Sequence, residues 1–143
     1  MMREGPLRML FVCVGNSCRS QMAEGFAKAM GGDLVEVASA GTIRPQQVAP
    51  KAVLVMAELG IDISSQEPKG LTEDMLVRAD RVFIMGCDVR DHCPVVWLKD
   101  AVDWDLEDPM GQGLEKYREV RDHIRRHMEE TLREEGIELL SIG

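Results

Sequence analysis

Met9-Leu10-Phe11-Val12-Cys13-Val14-Gly15-Asn16-Ser17-Cys18-Arg19-Ser20 is the stretch that decides the fold of this chain. An apolar run meets a cysteine, passes through small residues, and continues into Met22, Ala23, Phe26, Ala27 and Met30 at helical spacing. Such a short, unbroken apolar run, closed by a turn, reads as a strand buried on both faces. The sequence therefore predicts strand, tight loop and helix N-terminus in that order, an arrangement whose backbone N–H groups turn inward around an anion. Cys13 puts a soft nucleophile on the floor of that loop. Arg19, after five intervening residues, brings a planar guanidinium to its side. Val14, Gly15, Asn16, Ser17, Cys18, Arg19 and Ser20 are the candidate oxyanion-binding residues, with hydroxyls at Ser17 and Ser20. The helix start, the N–H groups and Arg19 all favour the thiolate form of the nucleophile.

Outward from this stretch the pattern alternates. A strand is expected over 8–13 and a helix over 19–30, which Gly31-Gly32 ends. A strand over 34–38 and a turn at Ser39-Ala40-Gly41-Thr42 follow. Pro50 opens a helix that runs on through apolar residues to Leu59 and stops at Gly60. Thr72 caps a short helix, residues 81–85 form a strand, and Val95-Val96-Trp97-Leu98 is the expected fourth. Leu114, Tyr117, Val120, Ile124, Met128 and Leu132 share one face of a long closing helix over 114–135. Strands alternating with helices imply a parallel sheet covered on both faces. Ligands in such α/β sheets bind beyond the carboxyl ends of the strands, where strand order reverses. Cys13 and Cys87 both follow directly after expected strands, so both are expected on that rim.

The 143 residues suit one domain over 1–143, with residues 1–7 expected to be a flexible leader. A formal net charge of −8 argues against a nucleic-acid partner, which needs a basic footprint. No apolar stretch is long enough to span a bilayer, and the leader is too polar for a secretion signal, so the chain is expected in the cytoplasm. Its four cysteines, Cys13, Cys18, Cys87 and Cys93, fall in two close pairs. In a reducing compartment they point to catalysis, redox cycling, metal binding or burial rather than to static disulfides.

The loop from Cys13 to Ser20 resembles the signature of the low-molecular-weight protein tyrosine phosphatase superfamily. Gln21-Met22-Ala23-Glu24-Gly25-Phe26 and Ser39-Ala40-Gly41-Thr42 are similar to its thioredoxin-coupled arsenate-reductase branch. The resemblance runs from Met9 to about Arg126 and implies a doubly wound, four-stranded parallel sheet with helices on both faces. In Trp104-Asp105-Leu106-Glu107-Asp108-Pro109 it assigns Asp108 as the general acid that protonates the departing oxygen. Taken alone, an acidic loop ending in Asp-Pro is a common turn.

Phosphatase and reductase share this cradle, and Met85-Gly86-Cys87-Asp88-Val89-Arg90-Asp91-His92-Cys93-Pro94 separates them. Water completes a phosphatase cycle, whereas a reductase must supply electrons from thiols. The resemblance implies that Cys13 attacks arsenate and water leaves. Cys87 then attacks the Cys13 sulfur and releases arsenite, and Cys93 attacks Cys87 to leave a Cys87–Cys93 disulfide for thioredoxin or a similar reductant. No cofactor and no metal are implied, and phosphate or sulfate are the competing anions. After Asp108-Pro109 comes Met110-Gly111-Gln112-Gly113 in place of the aromatics that hold a phenol ring in related phosphatases. Five residues separate Cys87 from Cys93, one fewer than in well-known bacterial members. The threonine and aspartate that some members place after Asp62-Ile63-Ser64 are missing, so a cation seat is not expected there. The main alternative is a phosphatase acting on phosphotyrosine or small phosphoesters through a Cys13 phosphoenzyme. A remote one is a four-cysteine zinc module. Cys18 is expected to be a small buried residue of the loop, and His92, His123 and His127 to be solvated.

Overall fold

The computed structural model describes residues 5–15, 18–43, 47–86 and 100–142. Its centre is β1 (Leu7–Cys13), which pairs in parallel with β2 (Val35–Gly41) on one side and β3 (Arg81–Ile84) on the other. A short β4 (Val102–Asp103) extends the sheet beyond β3, giving the order β2-β1-β3-β4, all parallel. The chain thus leaves β1 for one edge and returns past it to the other. The reversal of strand order falls at β1 and β3, beside Cys13 and the end of β3.

Alternation along β1 explains why the strand is apolar on both sides. Leu7, Met9, Phe11 and Cys13 belong to the larger core, beneath α1 (Arg19–Gly31), α2 (Pro50–Ala57) and α4 (Leu114–Glu134). Leu10 and Val12 point the other way, into a smaller core with Ile84 and residues of and around α3 (Glu73–Arg78), such as Met75 and Leu76. The helices therefore lie on both faces, as expected, but unequally. The larger core is anchored by aromatic contacts: the rings of Phe11 and Phe83 stack with centroids 5.3 Å apart, and Trp104 tilts against both.

Close approach of α1 to the rest of the core depends on Gly25. A Cβ there would lie 2.6 Å from the Ile63 side chain, so a methyl group has no room. The helix runs one residue past Met30, and Gly32 then takes φ +54°, a turn open to glycine at little cost. Thr72 caps α3 as the sequence implies, its Oγ1 accepting a hydrogen bond from the Met75 N–H at 3.2 Å. On α4 the expected face is the buried one, from Tyr117 through Val120, Ile124 and Met128 to Leu132.

Several expectations need correction. Leu7, assigned to a leader, is the fully buried first residue of β1 and pairs with Val35. Ser39, Ala40 and Gly41, read as a turn because of their small side chains, continue β2 instead. They are buried against β1, where small residues let the neighbouring elements come close. The expected strand at 95–98 lies outside the described residues, and the edge of the described sheet is Val102–Asp103.

Candidate active site

β1 delivers Cys13 to the carboxyl edge of the sheet, where its carbonyl accepts from the Thr42 N–H at 3.1 Å. The Ile43 N–H donates to the Val14 carbonyl at 2.9 Å, so the chain leaving β2 is stitched to the chain leaving β1. The Cys13 sulfur is buried and lies 2.9 Å from the Ser20 hydroxyl, at the first turn of α1. With the sulfur as a thiolate, that hydroxyl is its donor. Asn16, Ser17, Cys87 and Cys93 lie outside the described residues, as does His92. Met85, two positions before Cys87 in the sequence, follows the end of β3 and offers its carbonyl to Arg19.

Arg19 is held from behind. Its Nη1 donates to the carbonyls of Met85 and Leu106, each at 3.1 Å, so one nitrogen joins α1 to the ends of two further segments. The side chain is almost wholly buried, at 3% exposure, and its Nη2 lies 3.7 Å from Oδ2 of Asp108. A guanidinium fixed on neutral carbonyls keeps its full charge in a place of low dielectric, where an anion feels it strongly.

Asp108 reaches the same cavity from the loop after β4. Its carboxylate is about half exposed and accepts from the Met110 N–H at 3.1 Å. The Cys18 sulfur stands 3.9 Å from the same oxygen. Cys18 is buried, as expected, and burial pushes its thiol well above the ordinary range, with Cys13 and Asp108 adding to the effect. It is therefore a neutral neighbour of the carboxylate at physiological pH.

Cys13, Val14, Gly15, Cys18, Arg19, Ile43, Asp108 and Met110 line one cavity of about 240 Å³. Larger hollows exist elsewhere, one of about 660 Å³ beside α3, but no cysteine is among their described lining residues. The small cavity holds a thiol on its floor, a fixed cation at the wall and a carboxylate at the mouth. That arrangement can bind a tetrahedral oxyanion, attack its centre and return a proton to a departing oxygen. Ile43 is the lining residue that sequence reasoning missed. Its only signal was its position just after a segment misread as a turn. Glu24 was also passed over: it is buried in α1, accepting from Ser39 Oγ at 2.6 Å and paired with Lys28. Among the described residues no group of histidines, cysteines and carboxylates is placed to hold a metal ion. His123 is exposed as expected, whereas His127 is half-buried and stacks on Trp104 with centroids 5.0 Å apart.

A doubly wound parallel sheet with a cysteine-floored anion cradle at its switch point defines a class: enzymes that attack phosphate-like anions through a thiol. The chain belongs to the low molecular weight phosphotyrosine protein phosphatase family, whose model matches residues 8–139. It is similar to a glutaredoxin arsenate reductase of Synechocystis, with 41% identity over 87% of this chain and 95% of the relative. It is equally similar to arsenate reductase 1 of Staphylococcus epidermidis, at 41% identity over 83% and 90% of the two chains. A solved arsenate reductase, described as being in the phosphate binding state, superposes with a TM-score of 0.78. That match has 40% identity and covers 90% of this chain and 98% of the other.

Proposed function

We propose that this protein is an arsenate reductase. The observation that carries the reading is the cavity in which the Cys13 thiol, the buried Arg19 guanidinium and the Asp108 carboxylate converge, in a chain whose relatives at about 40% identity bear that name.

In this reading arsenate enters the cavity with its oxygens toward the loop N–H groups and Arg19. The Cys13 thiolate attacks arsenic, a sulfur–arsenic bond forms, and an oxygen leaves as water with a proton from Asp108. The Cys87 thiol then attacks the Cys13 sulfur. The sulfur–arsenic bond breaks, its electron pair stays on arsenic, and arsenite departs as a Cys13–Cys87 disulfide forms. Cys93 attacks Cys87, freeing Cys13 and leaving a Cys87–Cys93 disulfide. An external dithiol or thiol restores it, so the two electrons given to arsenic come from thiols and no cofactor enters the cycle. Val14, Gly15, Asn16, Ser17, Cys18 and Ser20 complete the oxyanion cradle.

The reductant is thioredoxin or a similar thiol protein. A glutaredoxin system is a second candidate, given the name of the Synechocystis relative. No described helix is long and apolar enough to cross a membrane. Free thiols at Cys13 and Cys18 suit a reducing compartment, and the cytoplasm is the proposed one. The family's own description favours a second activity, hydrolysis of small phosphoesters on the same cysteine. A cradle that recognises four oxygens around a central atom accepts both anions.

The deciding assay is arsenate-dependent NADPH oxidation coupled either to thioredoxin and its reductase or to glutathione, glutaredoxin and glutathione reductase. Wild type is expected to turn over repeatedly with one of them. Cys87→Ser and Cys93→Ser are each expected to lose multiple turnover while hydrolysis of an aryl phosphate survives. Full arsenate reduction by both variants would sink the three-cysteine cycle.

A further inference from the structure

Asp108 sits on a short turn at the surface, yet its carboxyl must meet a departing oxygen within a few tenths of an ångström. The outside support comes from α4. Tyr117, the chain's sole tyrosine, has its ring buried in the larger core at 3% exposure. Its hydroxyl emerges from that core and donates to the thioether sulfur of Met110 at 3.3 Å. Met110 lines the same cavity as Cys13 and is 44% exposed, while its own N–H donates to the Asp108 carboxylate at 3.1 Å. Lys51 holds the far side of the turn by donating to the Gln112 carbonyl at 2.7 Å, and Gln112 Nε2 reaches back to the Asp108 carbonyl at 3.4 Å.

A methionine at a half-exposed rim has three rotatable bonds. Here a rigid phenol, with its ring locked by packing, pins the sulfur, and the pinned residue holds the carboxylate. The phenol stays protonated, and so remains a donor, because burial together with Cys18 and Asp108 raises it above its ordinary range.

We propose that Tyr117 is a positioning residue, its hydroxyl acting through Met110 to hold the Asp108 carboxyl over the Cys13 adduct. This rests on the reading of Asp108 as the general acid. A sulfur acceptor makes a weak hydrogen bond, so the expected effect is modest, about three- to tenfold on rate.

The test is a single-turnover reaction with arsenate, run on Tyr117→Phe, Met110→Leu, Asp108→Asn and their pairwise combinations. Tyr117→Phe removes only the hydroxyl, and Met110→Leu removes only the acceptor while keeping the volume. Each is expected to slow turnover about three- to tenfold with the arsenate KM within about twofold of wild type. Combining them is expected to add nothing, and Tyr117→Phe is expected to have no further effect on Asp108→Asn. Methyl NMR of Met110 gives a readout apart from activity, with a single-rotamer ¹³C shift in wild type and an averaged one in Tyr117→Phe. A Tyr117→Phe enzyme at the wild-type rate, or one equally slowed with Asp108 already replaced, overturns the proposal and leaves Tyr117 as core packing. If Asp108→Asn itself runs at the wild-type rate, the general-acid reading falls and this proposal falls with it. Should Tyr117→Phe melt early, Met110→Leu carries the same comparison from the exposed side.

Discussion

Arginine meets carboxylate at many points in this protein, and two of them behave differently. On the seam between α2 and α4, Glu58 takes Arg118 on both oxygens at 3.1 Å from Nε and 2.8 Å from Nη2. Arg121 donates to the same Glu58 at 2.7 Å, and Arg118 also pairs with Glu115. There each charge is cancelled at contact distance, with Arg118 and Glu58 partly open to water and Arg121 buried beside them. At the candidate site Arg19 is buried, its near nitrogen is given to the Met85 and Leu106 carbonyls, and Asp108 stands at 3.7 Å. Arg118, which neutralises its carboxylates directly, acts as surface glue. Arg19, held on two neutral carbonyls with its carboxylate farther off, is the one that the proposed function reserves for an incoming anion.

The largest effect that sharpens the contrast is at the nucleophile. Cys13→Ser is expected to abolish arsenate-dependent NADPH oxidation, because a serine hydroxyl cannot enter thiol–disulfide exchange. Next comes Asp108→Asn, which keeps the shape and removes the proton, with an expected loss of about 10²–10⁴ in turnover. Steady-state kinetics should show that loss mainly in kcat.

Arg19→Lys breaks the comparison at its centre. A lysine cannot reach two carbonyls and an anion from one planar group. Both carbonyls are then left short of a donor, at an expected cost of about 1–3 kcal/mol in urea unfolding. Arg118→Lys, on the exposed seam, is expected to change stability by much less. Equal costs at the two positions would mean that the Met85 and Leu106 carbonyls do not depend on the Arg19 guanidinium.

The smallest effect concerns pH. The two arginines hold the Glu58 carboxyl well below its ordinary 4.5, down to about 2. A carboxylate with a depressed folded-state pKa contributes stability above the unfolded value and loses it as pH falls toward the folded one. The melting-temperature gap between wild type and Glu58→Gln is therefore expected to be flat above pH 4.5 and to close on descent toward about 2. Added salt should narrow it at neutral pH. A gap that persists through acid would assign the role of Glu58 to packing.

Much of this was legible in the residue order. The run into Cys13 specified a doubly buried strand, the spacing from Met22 to Met30 specified α1, and the face from Tyr117 to Leu132 specified α4, because periodicity records which side of an element is dry. Boundaries were read less well. Ser39-Ala40-Gly41 looks like a turn by composition, yet it lies against β1 and forms strand, since pairing with a neighbour overrides weak local preference. Leu7 looked like the end of a leader because a single residue has no period.

The sequence by itself determined the chemistry of this protein: a thiol, an arginine and small residues at one spacing, on a strand–loop–helix unit, can make only a few kinds of site. The tertiary structure decided which distant groups complete it. That Arg19 is gripped by Met85 and Leu106, that Ile43 walls the cavity, and that Tyr117 reaches Asp108 through Met110 are all contacts between segments far apart in the chain. No local pattern encodes such contacts, because they arise only when the sheet brings the ends of β1, β2 and β3 to one edge and α4 closes over them.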